Sequence, residues 1–145
     1  MVGSLFHVVN DLERIGDHSE NILDIGTSRK KEKTKFSAKA EREVQELYAK
    51  VEEMVTRSVD IVKNQIYDPE VIGVVETIEA SVDKMCEELA DHHVDRVKNK
   101  KCTPKNGMLY LDTLNNLERI ADHANNLASS VDTGENKHGD DRILW

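Results

Sequence analysis

Asn116-Leu-Glu-Arg-Ile-Ala-Asp-His123 has a near-copy 105 positions earlier, Asp11-Leu-Glu-Arg-Ile-Gly-Asp-His18, and six of the eight residues are identical. The match continues outward: Asn10 answers Asn115, Asn21 answers Asn126 and Leu23 answers Ala128. Part of one supersecondary unit therefore occurs twice in the chain. On a helix, residues four apart stand one above the other. At about 100° per residue, Leu5, Val8, Val9, Ile15, Gly16, Ser19, Ile22 and Leu23 share the wide face of Leu12. Glu13, Asp17, Glu20 and Asp24 form a narrow stripe on one flank of that face. The later copy puts Tyr110, Leu114, Leu117, Ile120, Ala121, Ala124 and Val131 toward a core and Glu118 and Asp122 on the flank. Asn125 and Ser129 continue this second stripe, which makes it less acidic.

Carboxylates stacked four apart repel one another and weaken an isolated helix. A chain that stacks them twice, at the same angle from the core, presents a row of oxygen ligands suited to hard cations. The bland alternative is a solvated edge whose acids pair with Lys or Arg of a neighbouring helix. A lone Glu-x-x-x-Asp favours that alternative; duplication of the whole octet shifts the weight toward ligands.

The composition suits long amphipathic helices: 145 residues, 33% charged, 4% aromatic, two prolines and seven glycines. A chain of this length can close one ordinary core. The net charge of −8 makes nucleic acid a poor partner and cations a better one. The basic run Arg29-Lys-Lys-Glu-Lys-Thr-Lys35 is the exception and reads as a solvated loop, with contact to anionic lipid or phosphate the lesser reading. Cys86 and Cys102 form neither a disulfide framework nor a zinc site; Cys86 falls in an apolar stripe, Cys102 in a turn, and a reducing cytoplasm fits both. The sequence contains no signal peptide or apolar run of membrane length.

The pattern predicts four helices, over about 4–25, 37–67, 69–99 and 104–132, followed by a mobile polar tail at 133–145. Gly26 is the expected stop of the first. The near-immediate start after Met-Val-Gly is expected of a fragment of something longer. Ala40, Val44, Leu47, Val51, Met54, Ser58, Ile61 and Gln65 give the second a heptad seam. Asp68-Pro69 and Thr103-Pro104 are cap-then-proline starts for the third and fourth. The third carries a core stripe of Ile78, Val82, Met85, Cys86, Leu89, His93 and Val97. Its flank holds Glu76, Glu79, Asp83 and Glu87, and Glu79-x-x-x-Asp83 is a third acidic pair. Short turns between helices with one apolar stripe each predict an all-α antiparallel bundle.

His7, His18 and His123 lie off the core and acidic stripes and read as surface groups or as partners that orient a ligand. His93 reads as a hydrogen-bonded packing residue. Arg14 and Arg119 are expected to pair with carboxylates. A di-iron bundle enzyme would need Glu-x-x-His on two core-facing helices, and Glu135 to His138 in the tail is the one instance. No zinc-protease motif, phosphate-binding glycine loop or nucleophile with an evident base is present, so no enzyme is expected.

Asp11–His18 and Asn116–His123 resemble the two metal-binding signatures of the PhoU family of phosphate-transport regulators. Ile78-Glu-Ala-Ser-Val-Asp83 is similar to the acidic signature of the family's preceding helix. His93-Val-Asp-Arg-Val97, Cys102 and Gly107 resemble the segment leading into the last helix. The resemblance covers nearly the whole chain apart from the basic loop and the tail. It implies two three-helix repeats whose Glu/Asp-x-x-x-Asp motifs bind iron, zinc, manganese, magnesium or another divalent or trivalent metal. It further implies regulation of phosphate uptake from the cytoplasm, at the inner face of the membrane, with the transporter's membrane domain or transport machinery as partner. The basic loop and the long heptad look most like the domain attached to a bacterial sodium/phosphate cotransporter. Residues 1–132 would then be one complete repeat preceded by the last helix of another. Glu79, Asp83, Glu118 and Asp122 would share one metal cluster, while Glu13 and Asp17 would lack their repeat partner, leaving their site either empty or completed by a second copy or an upstream segment. A homodimer is expected, because the first helix is short of neighbours. The competing reading is a metal-free helical adaptor that dimerises through its heptads.

Overall fold

The computed structural model describes residues 2–131. They form α1 (Val2–Lys31), α2 (Ala38–Lys63), α3 (Pro69–Lys98) and α4 (Pro104–Ser129). The fourth helix ends at Ser129 with Ser130 as its cap, short of the expected end near 132, and the tail 133–145 lies outside the described residues. No described helix is long and apolar enough to cross a membrane.

Caps set the boundaries. Ser37, Asp68 and Thr103 each accept a backbone N–H of the helix that follows, at 3.1, 2.9 and 3.2 Å. Pro69 and Pro104 then occupy first-turn positions where no donor is lost. The helix ends depart from expectation. Gly26 is not a stop: it stays helical, and α1 runs on through Arg29, Lys30 and Lys31. The first half of the predicted basic loop is thus a last helical turn, where cations face the negative end of the helix dipole. The stops are non-glycine residues in the left-handed region: Lys33 at φ 56°, Gln65 at 50° and Lys100 at 54°. Each sits in the same closure. The next amide reaches back to the carbonyl five residues earlier: Thr34 to Arg29, Ile66 to Ile61 and Lys101 to Arg96, at 2.9, 3.0 and 2.8 Å. The second helix therefore ends at Lys63, short of the expected Tyr67.

The helices are not equivalent. α4 packs against all three others, α2 and α3 also pack together, and α1 packs on α4 alone. The core is the α2–α3–α4 trio: Leu47, Met54, Ile61, Val75, Val82, Tyr110, Leu117 and Ala124 are buried. The expected stripes of α2 and α4 fill it as read, apart from Gln65 beyond the end of α2 and Val44 and Val131, which are half-buried. In α3, Val97 is exposed. The stripe of α1 is largely uncovered: Leu5, Val9, Leu12 and Leu23 are exposed, and Val8, Ile15 and Ile22 are half-buried. An apolar groove of about 360 Å³ separates α1 from α2, with Leu117 and Ile120 at its floor.

Candidate functional site

The two octets lie against each other, antiparallel, in the α1–α4 contact. His123 Nδ1–H donates to Asp11 Oδ1 and His18 Nδ1–H donates to Asn116 Oδ1, each at 3.0 Å. The first residue of each octet thus meets the last residue of the other, about a local two-fold axis. The two imidazoles stack on that axis, with centroids 5.8 Å apart and planes 20° from parallel. Asn21 Nδ2–H adds a second donor to Asn116 Oδ1 at 3.1 Å. His18 and His123 are therefore the clasp between the halves. Asp11, which the sequence presents as the opening residue of an octet, is buried in that clasp.

The acidic rows separate into two groups. α3 and α4 run antiparallel, so Glu79 and Asp83 face Asp122 and Glu118. Burial pushes the Glu79 carboxyl up to about 7, helped by a hydrogen bond shared with Asp122 and by the charges of Asp122, Asp83 and Glu76. Asp83 is raised by burial and then by Asp122. Glu118 is raised by burial, then by Asp83 and Asp122, with its Cys86 neighbour and Arg119 acting the other way. Like charges crowded on a partly dry face cost free energy, and protonation relieves it. A cation would relieve it more completely. No Lys or Arg pairs with any of the four within 4 Å among the described residues; the ion pairs lie elsewhere, as in Arg29–Glu41 and Arg96–Glu43. The matching basic groups that a solvated edge would need are thus not in contact.

These four are carboxylate oxygens, the donor set that hard cations take. No three His, Cys, Asp or Glu among the described residues stand close enough to chelate one ion as they are placed. Asp83 and Asp122 are exposed and turn at little cost, whereas Glu79 and Glu118 are partly buried. Burial, then the neighbouring Glu118, pushes the Cys86 thiol up to about 12. Glu13 and Asp17 stand apart on α1, exposed, and no helix equivalent to α3 lies beside them.

A second polar constellation escaped the sequence reading. Glu43 is buried in the α2 seam, where His92 Nδ1–H donates to it at 2.7 Å and Arg96 Nη1–H at 2.8 Å. Its signal was an acid three residues after Ala40 and four before Leu47, inside the apolar spacing. The Arg96 guanidinium lies over the Tyr110 ring, 4.8 Å from its centroid.

The family of PhoU domains matches residues 44–131. The chain is 28% identical over 135 residues to the phosphate-specific transport system accessory protein PhoU homolog 1 of Thermotoga maritima, covering 88% of this chain and 54% of that protein. It thus spans about half the length of the curated relative that it matches. No solved structure matches. The matched segment contains Glu79, Asp83, Glu118 and Asp122, together with α3, α4 and most of α2, and the chain belongs to the PhoU domain family.

Proposed function

We propose that this chain is a regulatory, divalent-metal-binding domain controlling phosphate uptake, and that it acts as a regulator without catalysing a reaction. The observation that carries the metal reading is the α3–α4 acid cluster: Glu79, Asp83 and Glu118 are all raised by burial and mutual charge, with no basic side chain paired to them. Glu79, Asp83, Glu118 and Asp122 would hold iron, manganese, magnesium or zinc. A bound ion would supply positive charge that draws α3 and α4 together, so that binding alters the packing of the trio. Glu13 and Asp17 belong to a second site only when another helix pair covers α1. The regulatory role follows the name of the Thermotoga relative, an accessory protein of phosphate-specific transport. In this reading the domain works in the cytoplasm at the inner membrane face, attached to or docking on the membrane part of a sodium/phosphate cotransporter, as a homodimer.

Elemental analysis after chelator-free purification tests the metal reading, with wild type compared with Glu118→Ala/Asp122→Ala. Stoichiometric metal that disappears in the variant supports it. A metal-free wild type, even after loading with iron or manganese, sinks it. The second reading, a metal-free helical adaptor or dimerisation module, is favoured by the open apolar face of α1 and by the lack of a ready three-ligand chelate among the described residues.

A further inference from the structure

The end of the bundle opposite the acid cluster holds a small polar cleft. It has a volume of about 120 Å³ and lies where the starts of α2 and α4 meet the last turn of α3. The space equals about four waters' share of liquid volume. Its charged walls are Lys35, Arg96 and Lys101, with no carboxylate among the lining residues. The helix caps Ser37 and Thr103 also line it, so the positive ends of two helix dipoles open there.

The cleft is lined by buried polar groups with no hydrogen-bond partner. His93 is 6% exposed and its Nδ1 has no hydrogen-bond partner. Arg96 gives Nη1 to Glu43; its guanidinium also engages the hydroxyl of Tyr110, a residue 1% exposed, in a contact that leaves both groups short of a full hydrogen bond. Asn106 donates Nδ2–H to the Lys35 carbonyl at 3.2 Å, which leaves its Oδ1 an acceptor without a donor. Leaving such groups unmade is costly. Packing holds His93 in place: a Cβ on Gly107 would collide with His93 Cε1 and Nε2, so glycine lets the imidazole lie against α4.

We propose that this cleft binds a tetrahedral oxyanion with one proton, of which monohydrogen phosphate is the simplest, through Arg96, His93 and Tyr110 as donors. Lys35 and Lys101 supply charge, and Asn106 Oδ1 accepts the P–OH. The single acceptor sets the selectivity. Sulfate carries no proton at neutral pH, and would place an oxygen lone pair against Oδ1. The shared chemistry is a phosphoryl group, either the free ion or the end of a larger molecule. The site is independent of the acid cluster, and would let the domain read phosphate directly.

Isothermal titration calorimetry on chelator-treated protein tests this with inorganic phosphate, sulfate and phenyl phosphate. Chelation keeps anion binding by residual metal out of the result. Saturable one-to-one phosphate binding is expected, with sulfate weaker by about tenfold or more. Tyr110→Phe keeps the buried ring and removes the hydroxyl that Arg96 engages, so its helicity should hold while phosphate affinity falls about tenfold or more. Phosphate binding tighter than phenyl phosphate supports the site and identifies the free ion; the reverse supports it as a seat for a phosphoryl group on a larger molecule. A water-filled cleft, shown by no saturable heat from millimolar phosphate, overturns the proposal. So does a Tyr110→Phe variant that binds like wild type, or sulfate that binds as tightly as phosphate.

Discussion

The same octet occurs on α1 and α4, and the two copies meet different fates. Leu114 is 2% exposed and its counterpart Val9 53%; Tyr110 is 1% exposed and Leu5 58%. α4 is flanked by α2 and α3, whereas the backbone of α1 packs closely on α4 alone and meets α2 only through side chains such as Arg29 on Glu41. The acids follow suit: Glu118 and Asp122 meet Glu79 and Asp83 of α3, while Glu13 and Asp17 meet solvent. Burial and charge crowding are thus properties of the neighbours. The motif supplies the angle between an apolar face and an acidic flank, and the surrounding helices decide whether either one is used.

The sharpest contrast is all-or-none. Bound metal should vanish in Glu118→Ala/Asp122→Ala and persist in Glu13→Ala/Asp17→Ala, read by elemental analysis; equal losses would mean that a second helix pair completes the α1 row in solution. Core truncation comes next. Leu114→Ala should cost about 2–5 kcal/mol, whereas Val9→Ala should stay within about 0.5 kcal/mol, both from denaturant melts. A large cost at Val9 would show that its face is covered in solution. The clasp is smaller still. Asp11→Asn makes the two halves of the clasp alike, and should cost about 1 kcal/mol by removing a charged acceptor from His123.

The pH effect is the most modest. The folded Glu79 carboxyl titrates at about 7, above its ordinary 4.5. The folded chain therefore holds an extra proton, and stability falls as pH rises from about 4.5 through 7. Thermal melts of metal-free Glu79→Gln should show a higher Tm than wild type at pH 8 and no gain at pH 4. A gain of equal size at both would mean that the benefit is packing and not charge.

The sequence disclosed what depends on local period and caps. Asp68-Pro69 and Thr103-Pro104 located two helix starts because an N-cap is read within four residues. The ends were less legible. Lys33, Gln65 and Lys100 adopt a conformation usually left to glycine, because the backward hydrogen bonds and, at Ile66, an apolar contact with the core hold them there. Gly26 carried the expected signal without the geometry. That Glu79 and Asp83 belong with Glu118 and Asp122 was implied by the family resemblance, since no spacing on a single helix reveals which other helix lies beside it. The cleft around Arg96 did not, since its walls come from Lys35, His93, Lys101 and Tyr110, far apart in the chain. The roles of His18 and His123 were hidden for another reason: a residue that lies off the core of its own helix can still be central to a contact between two repeats.

The clasp also bears on exchange between molecules. Its residues would make the same contacts if α1 came from one copy of the chain and α4 from another. Chain geometry favours the arrangement within one copy: α1 is tied to α2 by the short segment 32–37, which keeps its local concentration at α4 high. Arg29 locks that hinge, with an ion pair to Glu41 at 3.2 Å and its guanidinium 3.6 Å above the Phe36 ring. Lys105 holds Glu32 from the far side at 2.6 Å. Six residues and their three anchors thus separate a self-contained protomer from a domain-swapped pair built from identical contacts.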